Sequence, residues 1–305
     1  MTRKPLLVSV VMPARNAADT IGEQLAALRA QTYEGSWEVV VVDNGSTDRT
    51  ASIVHSFMDR MPRLVMVKAW AERGVGYARN RGIEASSGDL LTFCDADDVV
   101  ETSWLASLVS AASGYDAVGG VNENLLLNTP ELVQGRMLMG EGTGEDRDEI
   151  LPGGNCAIWR DVFDRIGLWN EELVYGGEDN DLTLRARAAG LRLGFRTQGA
   201  VRHYRFKVSL RRIFEQAFYY GRSSVWVNRA HGAAVPWYST FRLAGGLVAE
   251  LCRIGWLPGR RQSSLHRARI ARIAGKCVGQ FVGVVFAARV FRRVPRRRLP
   301  KSEGC

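Results

Sequence analysis

Residues Leu90 to Val100 read LLTFCDADDVV: a short apolar run that ends in three carboxylates, Asp95, Asp97 and Asp98, within four positions. The run has the length and composition of a buried strand. In a parallel α/β sheet, ligands gather outside the carboxyl ends of the strands, so anions that are costly to bury stand on the rim that faces a ligand. A hard divalent cation, magnesium or manganese, held by one or two carboxylates plus the phosphates of a substrate, would relieve their mutual repulsion. The competing reading has Asp97 or Asp98 capping the helix that contains Trp104, Leu105 and Leu108, with Asp95 merely solvated.

Working outward, strand and helix patterns alternate. LVSVVMP ends at Pro13, and Thr20-Ile-Gly-Glu23 has the form of a capping box ahead of Ile21, Leu25 and Leu28 at helical spacing. WEVVVVDNGSTD is a second buried-type strand that runs into a polar turn at Asp43. Ile53, Val54, Phe57 and Met61 mark a helix, Leu64 to Val67 a strand, and Tyr77 to Ala85 a helix before the acidic strand itself. This order argues for a mostly parallel sheet wrapped by helices.

With 305 residues, 46% of them hydrophobic and 24% charged, the chain can bury one sizeable α/β core and carry an appendage. Its five cysteines are scattered without C-x-x-C spacing, which fits a reduced cytoplasmic setting and argues against a cysteine-zinc site. Arg3 and Lys4 precede an apolar run, but Pro13 breaks it and no small-residue cleavage pattern follows, so a first strand explains it better than a signal peptide. The net charge of +9 is unevenly divided: residues 226–305 hold 16 Lys and Arg against Glu250 and Glu303, while the first 225 residues hold 25 bases and 30 acids. The basic surface belongs to the tail.

Four stretches, VSVVMPARNAADTIGEQLAAL, EVVVVDNGSTDRT, GVGYARNRGIEASSGDLLTFCDADD and GGNCAIWRDVFDRIGLWNEELVYGGEDNDLTLRARAAG, resemble, in order, the signature blocks of the family 2 inverting nucleotide-sugar glycosyltransferases. The resemblance covers roughly residues 6 to 225 and implies a GT-A-type α/β catalytic domain over 1–225, followed by a basic, amphipathic helical region over 226–305. It implies that Pro13, Ala14 and Arg15 line the nucleotide pocket, Asp43 accepts hydrogen bonds from the base, Arg79 lies near the donor, Asp95 faces the ribose and Asp97 binds the metal that bridges the phosphates. Asp179, in GGEDND, would be the general base of an inverting displacement, and His203 a further metal ligand. Asp181 is read as a helix-start acid that pairs with Arg185 one turn on. Arg202, Arg205 and Lys207 are left between phosphate binding and solvation.

Other classes fit less well. A sugar nucleotidyltransferase wants a Gly-rich phosphate loop after the first strand, where this chain has PARNAAD. A dehydrogenase would rest on GVGYAR, which lacks the third glycine of the dinucleotide fingerprint. A non-catalytic sugar- or membrane-binding relative is countered by the presence of Asp97 and Asp179.

In the tail, Ile270, Ile273, Ala274, Cys277, Phe281, Val285 and Ala288 share one helical stripe, and Arg269, Arg272 and Lys276 another. The uncharged run from Cys277 to Ala288 is twelve residues, short of the ~18 of a spanning helix. Packing of the apolar stripe on the catalytic domain is one reading. The basic cluster from Arg289 to Lys301 favours another: a peripheral enzyme at the cytoplasmic face of the cell membrane, acting on a lipid-linked or growing envelope glycan, with no nucleic-acid partner. The irregular stretch from Gly120 to Ile150 is read as a variable acceptor-side loop.

Overall fold

Strand and helix alternate through the first half of the computed structural model, which describes residues 3–61, 63–130, 133, 150–174, 176–206, 209–232 and 260–290. The order is β1 (Val8–Ala14), α1 (Ile21–Arg29), β2 (Trp37–Asp43), α2 (Thr50–Met58), β3 (Leu64–Lys68), α3 (Val75–Ala85) and β4 (Leu90–Cys94). Then follow β5 (Val99–Val100), α4 (Trp104–Ala112), β6 (Ala117–Glu123), β7 (Asn155–Trp159), α5 (Arg160–Ile166) and α6 (Glu178–Ala188). The last elements are β8 (Leu193–His203), α7 (Leu210–Ala230) and α8 (Arg260–Val290).

The strands form one eight-stranded sheet in the order β3-β2-β1-β4-β7-β6-β8-β5. β1 pairs in parallel with β2 on one side and β4 on the other, so the strand order reverses between β1 and β4. In sheets of this kind ligands gather at that point, beyond the carboxyl ends of the strands. β4 is buried along its whole length, as a central parallel strand must be. Its Phe93 packs edge-on against Trp169, with ring centroids 5.3 Å apart. The deepest indoles have partners: Trp104 Nε1 donates to Asn155 Oδ1 (2.8 Å) and Trp159 Nε1 to Ala112 O (2.9 Å).

Two local expectations are corrected. Thr20 precedes α1, but no capping box forms: its hydroxyl donates to Ala96 O (3.0 Å) in the turn after β4, and Glu23 pairs with Arg205 (2.7 Å). Neither Asp97 nor Asp98 caps α4, whose first flanking residue is Ser103. The boundary drawn after residue 225 falls inside α7, a helix continuous from Leu210 to Ala230 because Val225, Trp226 and Val227 bury themselves against Leu173 and Leu184.

The two C-terminal helices lie against each other. A Cβ on Gly275 would strike the Phe214 carbonyl, and one on Gly279 the Phe218 carbonyl; one on Gly283 would stand 3.0 Å from the Arg222 carbonyl. Glycines four residues apart thus let α8 approach the α7 backbone closely, and they decide which face of α8 turns inward. Of the apolar stripe, Ile270, Ile273, Ala274 and Cys277 are half-buried and Phe281 is 62% exposed, as is neighbouring Val278 at 44%. Among the described residues no helix is long and apolar enough to cross a membrane. Most of the basic cluster beyond Arg289 and most of the stretch read as an acceptor-side loop lie outside the described residues.

Candidate active site

The tip of β4 meets α3, β8 and the start of α6 in a chain of alternating charges. Glu178 Oε1 is 2.8 Å from Arg79 Nη1, Arg79 Nη2 is 3.3 Å from Asp95 Oδ1, and Asp95 Oδ2 is 2.8 Å from Arg202 Nη1. Arg202 Nη1 continues to Asp98 Oδ2 at 3.2 Å. Arg79 also stacks over the Trp169 ring at 4.8 Å. Both guanidiniums are buried, and burial alone would weaken their charge. Glu178 and Asp95 outweigh it at Arg79, and Asp98 and Asp95 at Arg202, so both stay above the usual arginine range. Burial pushes Glu178 up to about 7, helped by Asp179 beside it, and Asp98 likewise up to about 7 despite Arg202.

This packing requires the glycines of GGN. A Cβ on Gly154 would overlap the Asp95 carboxylate and the Arg202 guanidinium, and one on Gly153 would stand 2.7 Å from Arg79 Nη1. Arg202, left between phosphate binding and solvation by its sequence context, is an internal counter-ion, while Arg205 holds the acidic turn by donating from its amide to Asp98 Oδ1 (2.9 Å) and from Nε to Asp97 O (3.2 Å). Lys207 lies outside the described residues.

Asp179 is the second residue of α6, after a left-handed turn at Gly177 (φ 94°), and its Oδ1 accepts from the Asn180 amide (2.8 Å). With Asp95, Arg79 and Arg202 it lines a cavity of about 530 Å³. Asp181 points elsewhere: it is buried, pairs with Arg185 (2.8 Å) as its spacing implied, and also meets His231 Nε2 (3.0 Å). A larger cavity of about 800 Å³ near Gly167, Glu171 and Arg185 contains none of the expected site residues.

The residues expected around the nucleotide stand at the tips of β1 and β2. Ala14 and Asp43 are register partners, Pro13 and Ala14 close β1, and Arg15 is exposed just beyond. The Asp43 carboxylate is buried, accepting from the Ser46 amide (3.0 Å) and from Trp70 Nε1 (2.8 Å). Asn16, at φ 48°, accepts from the Thr47 amide (2.8 Å), and Ala17 N donates to Thr50 Oγ1 (2.8 Å), so the two loops are tied together. None of Pro13, Ala14, Arg15 or Asp43 reaches the cavity that contains Asp179. The residues expected around the nucleotide and the expected base therefore do not line one common cavity.

His203, expected as a metal ligand, sits between two carboxylates. Its Nδ1 is 2.7 Å from Glu123 Oε2 and its Nε2 2.7 Å from Glu101 Oε1, because Val99 and Glu123 are its register partners on β5 and β6. Both ring nitrogens are occupied in a carboxylate clamp. Partial burial opposes the charge on Glu123, but the His203 hydrogen bond and the amides of Leu125 and Leu126 prevail and hold its carboxyl below the ordinary range. Asp95 and Asp98 pair with arginines, and Asp97 is half-buried just beyond β4. Among the described residues no three His, Cys, Asp or Glu side chains form a cage for a metal. Magnesium or manganese held by one carboxylate together with substrate phosphates needs no such cage.

Sequence reasoning missed the wall opposite Asp95. Gln216 and Tyr220 of α7 and Arg272 and Lys276 of α8 line the same cavity as Asp179. The glycine spacing at 275, 279 and 283 was the available signal, since it marks the face of α8 that meets a neighbouring helix.

Residues 9–167 match the family model described as Glycosyl transferase family 2. Among curated proteins, the chain is 36% identical over 203 residues to glycosyltransferase AglE of Haloferax volcanii, covering 64% of this chain and 66% of that protein. It is 35% identical over 210 residues to the succinoglycan biosynthesis protein ExoU of Rhizobium meliloti, covering 62% and 59%. The chain thus spans about two thirds or less of the length of these relatives. Among solved structures, the mannosyltransferase PcManGT of Pyrobaculum calidifontis, in complex with GDP-Man and Mn2+, superposes with a TM-score of 0.66 at 19% identity, covering 93% of this chain and 88% of that one. TarS 1-349 of S. aureus in complex with UDP-GlcNAc gives 0.52 at 17% identity, covering 90% of each chain. At these identities the shared feature is the fold.

Proposed function

Since the chain belongs to glycosyl transferase family 2, we propose that it transfers a sugar, with inversion, from a nucleoside diphosphate donor to an acceptor hydroxyl. The observation that supports this reading is the placement of Asp179 in one cavity with Asp95 and Arg79, at the rim where strand order reverses. An acceptor hydroxyl entering from the α7 side meets the Asp179 carboxylate, which takes its proton as the oxygen attacks the anomeric carbon. The new C–O bond forms on the face opposite the departing diphosphate oxygen, which leaves with the electrons of the broken bond, so one displacement inverts the centre. Proton removal by a positioned base is worth about 10²- to 10⁴-fold in rate. The Glu178–Arg79–Asp95 chain holds the first turn of α6 against β4, and so fixes the distance between base and donor.

Asp97 would hold the divalent metal, and His203 would not. Bound there, magnesium or manganese supplies positive charge to the leaving diphosphate. Screening full-length protein for hydrolysis of, and thermal stabilisation by, a panel of nucleotide sugars with manganese tests the reading. Hydrolysis or stabilisation by one class is expected, and indifference to every donor would overturn it.

The enzyme is further proposed to work on envelope glycans at the inner face of the cell membrane. The support is now the outward apolar face of α8, with Phe281, Val278 and Val284 exposed, and the arginine-rich sequence that follows it. The stripe of Arg272 and Lys276 no longer contributes, because it lines the cavity. Full-length protein should co-sediment with anionic vesicles in a salt-sensitive way, and Phe281→Asp should weaken it; binding unaffected by both changes would dismiss the membrane role.

A further inference from the structure

Asp43, expected to accept hydrogen bonds from the base, is already engaged by the protein. Its Oδ1 takes the Ser46 amide (3.0 Å), its Oδ2 takes the indole N–H of Trp70 (2.8 Å), and the residue is 2% exposed. The two donors differ in kind. Ser46 offers a backbone amide from the turn after β2, whereas Trp70 offers a side chain from the loop after β3. Trp70 is itself 59% exposed, so its ring stands between the buried carboxylate and solvent. A single exposed apolar side chain needs no explanation, but this one spends its N–H on a buried acid at the tip of β2.

The backbone beneath the ring is fixed. Ala69 N donates to the Asp43 carbonyl (2.8 Å). Buried Asn44 donates from Nδ2 to the carbonyls of Ala69 and Glu72, and its Oδ1 accepts from the Gly74 amide (3.0 Å). The loop from Ala69 to Gly74 is thus pinned to the residue next to Asp43, and Trp70 can leave Oδ2 by side-chain rotation alone. Lys68 Nζ, 4.9 Å from the indole centroid, is a second hold on the ring in its present position.

From this arrangement we infer that Trp70 gates the nucleobase site: in the free protein its N–H holds the Asp43 oxygen that a base N–H takes when the donor binds. The inference rests on the glycosyltransferase reading and on the role expected of Asp43, and it specifies the donor class. Exchanging one N–H for another on the same oxygen keeps the buried carboxylate satisfied in both states, which an open acceptor would not be. Uracil and thymine carry a ring N–H at N3 and guanine at N1, so each can make the exchange. Cytosine and adenine present a bare ring nitrogen there, whose lone pair would face the carboxylate. The gate therefore yields to nucleotides of uracil, thymine or guanine and stays shut to the other two.

Calorimetry on the full chain in manganese, with UDP, GDP, CDP and base-free pyrophosphate as probes, tests the gate. UDP or GDP should bind about tenfold or more tighter than CDP. Trp70→Phe keeps an aromatic ring but has no N–H, so it leaves Oδ2 open. Its affinity for whichever of UDP and GDP the wild type prefers should rise by about threefold or more, with CDP and pyrophosphate changed less than about twofold. That nucleotide should also shift the tryptophan emission of the wild type, and the shift should shrink in Trp70→Phe. A variant that binds every probe as the wild type does, that binds UDP and GDP more weakly, or that tightens CDP or pyrophosphate in step would overturn the gate. So would an equal emission shift in both proteins, or a wild-type affinity for CDP matching that for UDP and GDP. If wild-type protein binds none of the three nucleotides and hydrolyses no nucleotide sugar, the glycosyltransferase reading itself fails, whatever the variant does.

Discussion

The two sides of the cleft are built by different means. On the donor side, β1, β2 and β4 run in parallel, their residues buried along most of their length, and their polar tips are fastened by short-range ties such as Asn16 to Thr47 and Asp43 to Ser46. On the acceptor side, the wall comes from two helices near the C-terminus that reach the site only because glycines let their backbones meet. The first side is a rim of anions made tolerable by arginines; the second presents the polar and basic side chains of Gln216, Tyr220, Arg272 and Lys276.

The largest expected effect separates base from structural acid. Asp179→Asn retains the shape of the side chain but removes the proton acceptor, so transfer should fall about 10²- to 10⁴-fold while donor binding survives. Asp181→Asn should instead lower thermal stability, because buried Asp181 loses its ion pair with Arg185. A dead Asp181 variant beside an active Asp179 variant would reverse the two assignments.

Arg79 joins the two sides, and its removal is the next most disruptive change. Arg79→Leu would leave buried Glu178 without its cation, while half-buried Asp95 keeps Arg202, at a cost of about 3–5 kcal/mol in unfolding free energy. A chemical denaturation midpoint close to that of the wild type would show that the rail of charges does not join the two halves.

A pH comparison sharpens the same junction. Glu178 rises from its ordinary 4.5 to about 7, chiefly by burial and then by the neighbouring Asp179, with Arg79 opposing. The folded state therefore holds this proton more tightly than the unfolded state does. That contribution to stability is full below pH 4.5 and is lost as pH climbs through 7. Glu178→Gln mimics the protonated acid and does not titrate, so its stability should gain on the wild type over that window, by on the order of 3 kcal/mol at most. Parallel melting curves across pH would show that Glu178 stays ionised.

The smallest effect concerns the donor side alone. Asp97→Ala should weaken nucleoside diphosphate binding by ~10-fold or more in manganese and leave the metal-free affinity unchanged, as read by calorimetry. Loss of affinity without metal as well would place Asp97 in direct contact with the nucleotide.

The alternation of elements through β4, the buried acidic strand and the pairing of Asp181 with Arg185 were legible in the sequence, because each depends on neighbours within a turn or a strand. Even there, local logic failed where a distant partner competed better: Thr20 and Glu23 have the form of a capping box, yet Ala96 and Arg205 claim them. His203 has the spacing of a ligand after the acidic block, but its ring belongs to Glu101 and Glu123, 102 and 80 residues away along the chain. For α8 the sequence by itself determined that the helix has an apolar and a basic face. Only the tertiary structure decided which one turns inward. Glycines permit a backbone approach that no apolar side chain could match, so the glycine face won α7, Arg272 and Lys276 came to line the cavity, and Val278, Phe281 and Val284 were left exposed.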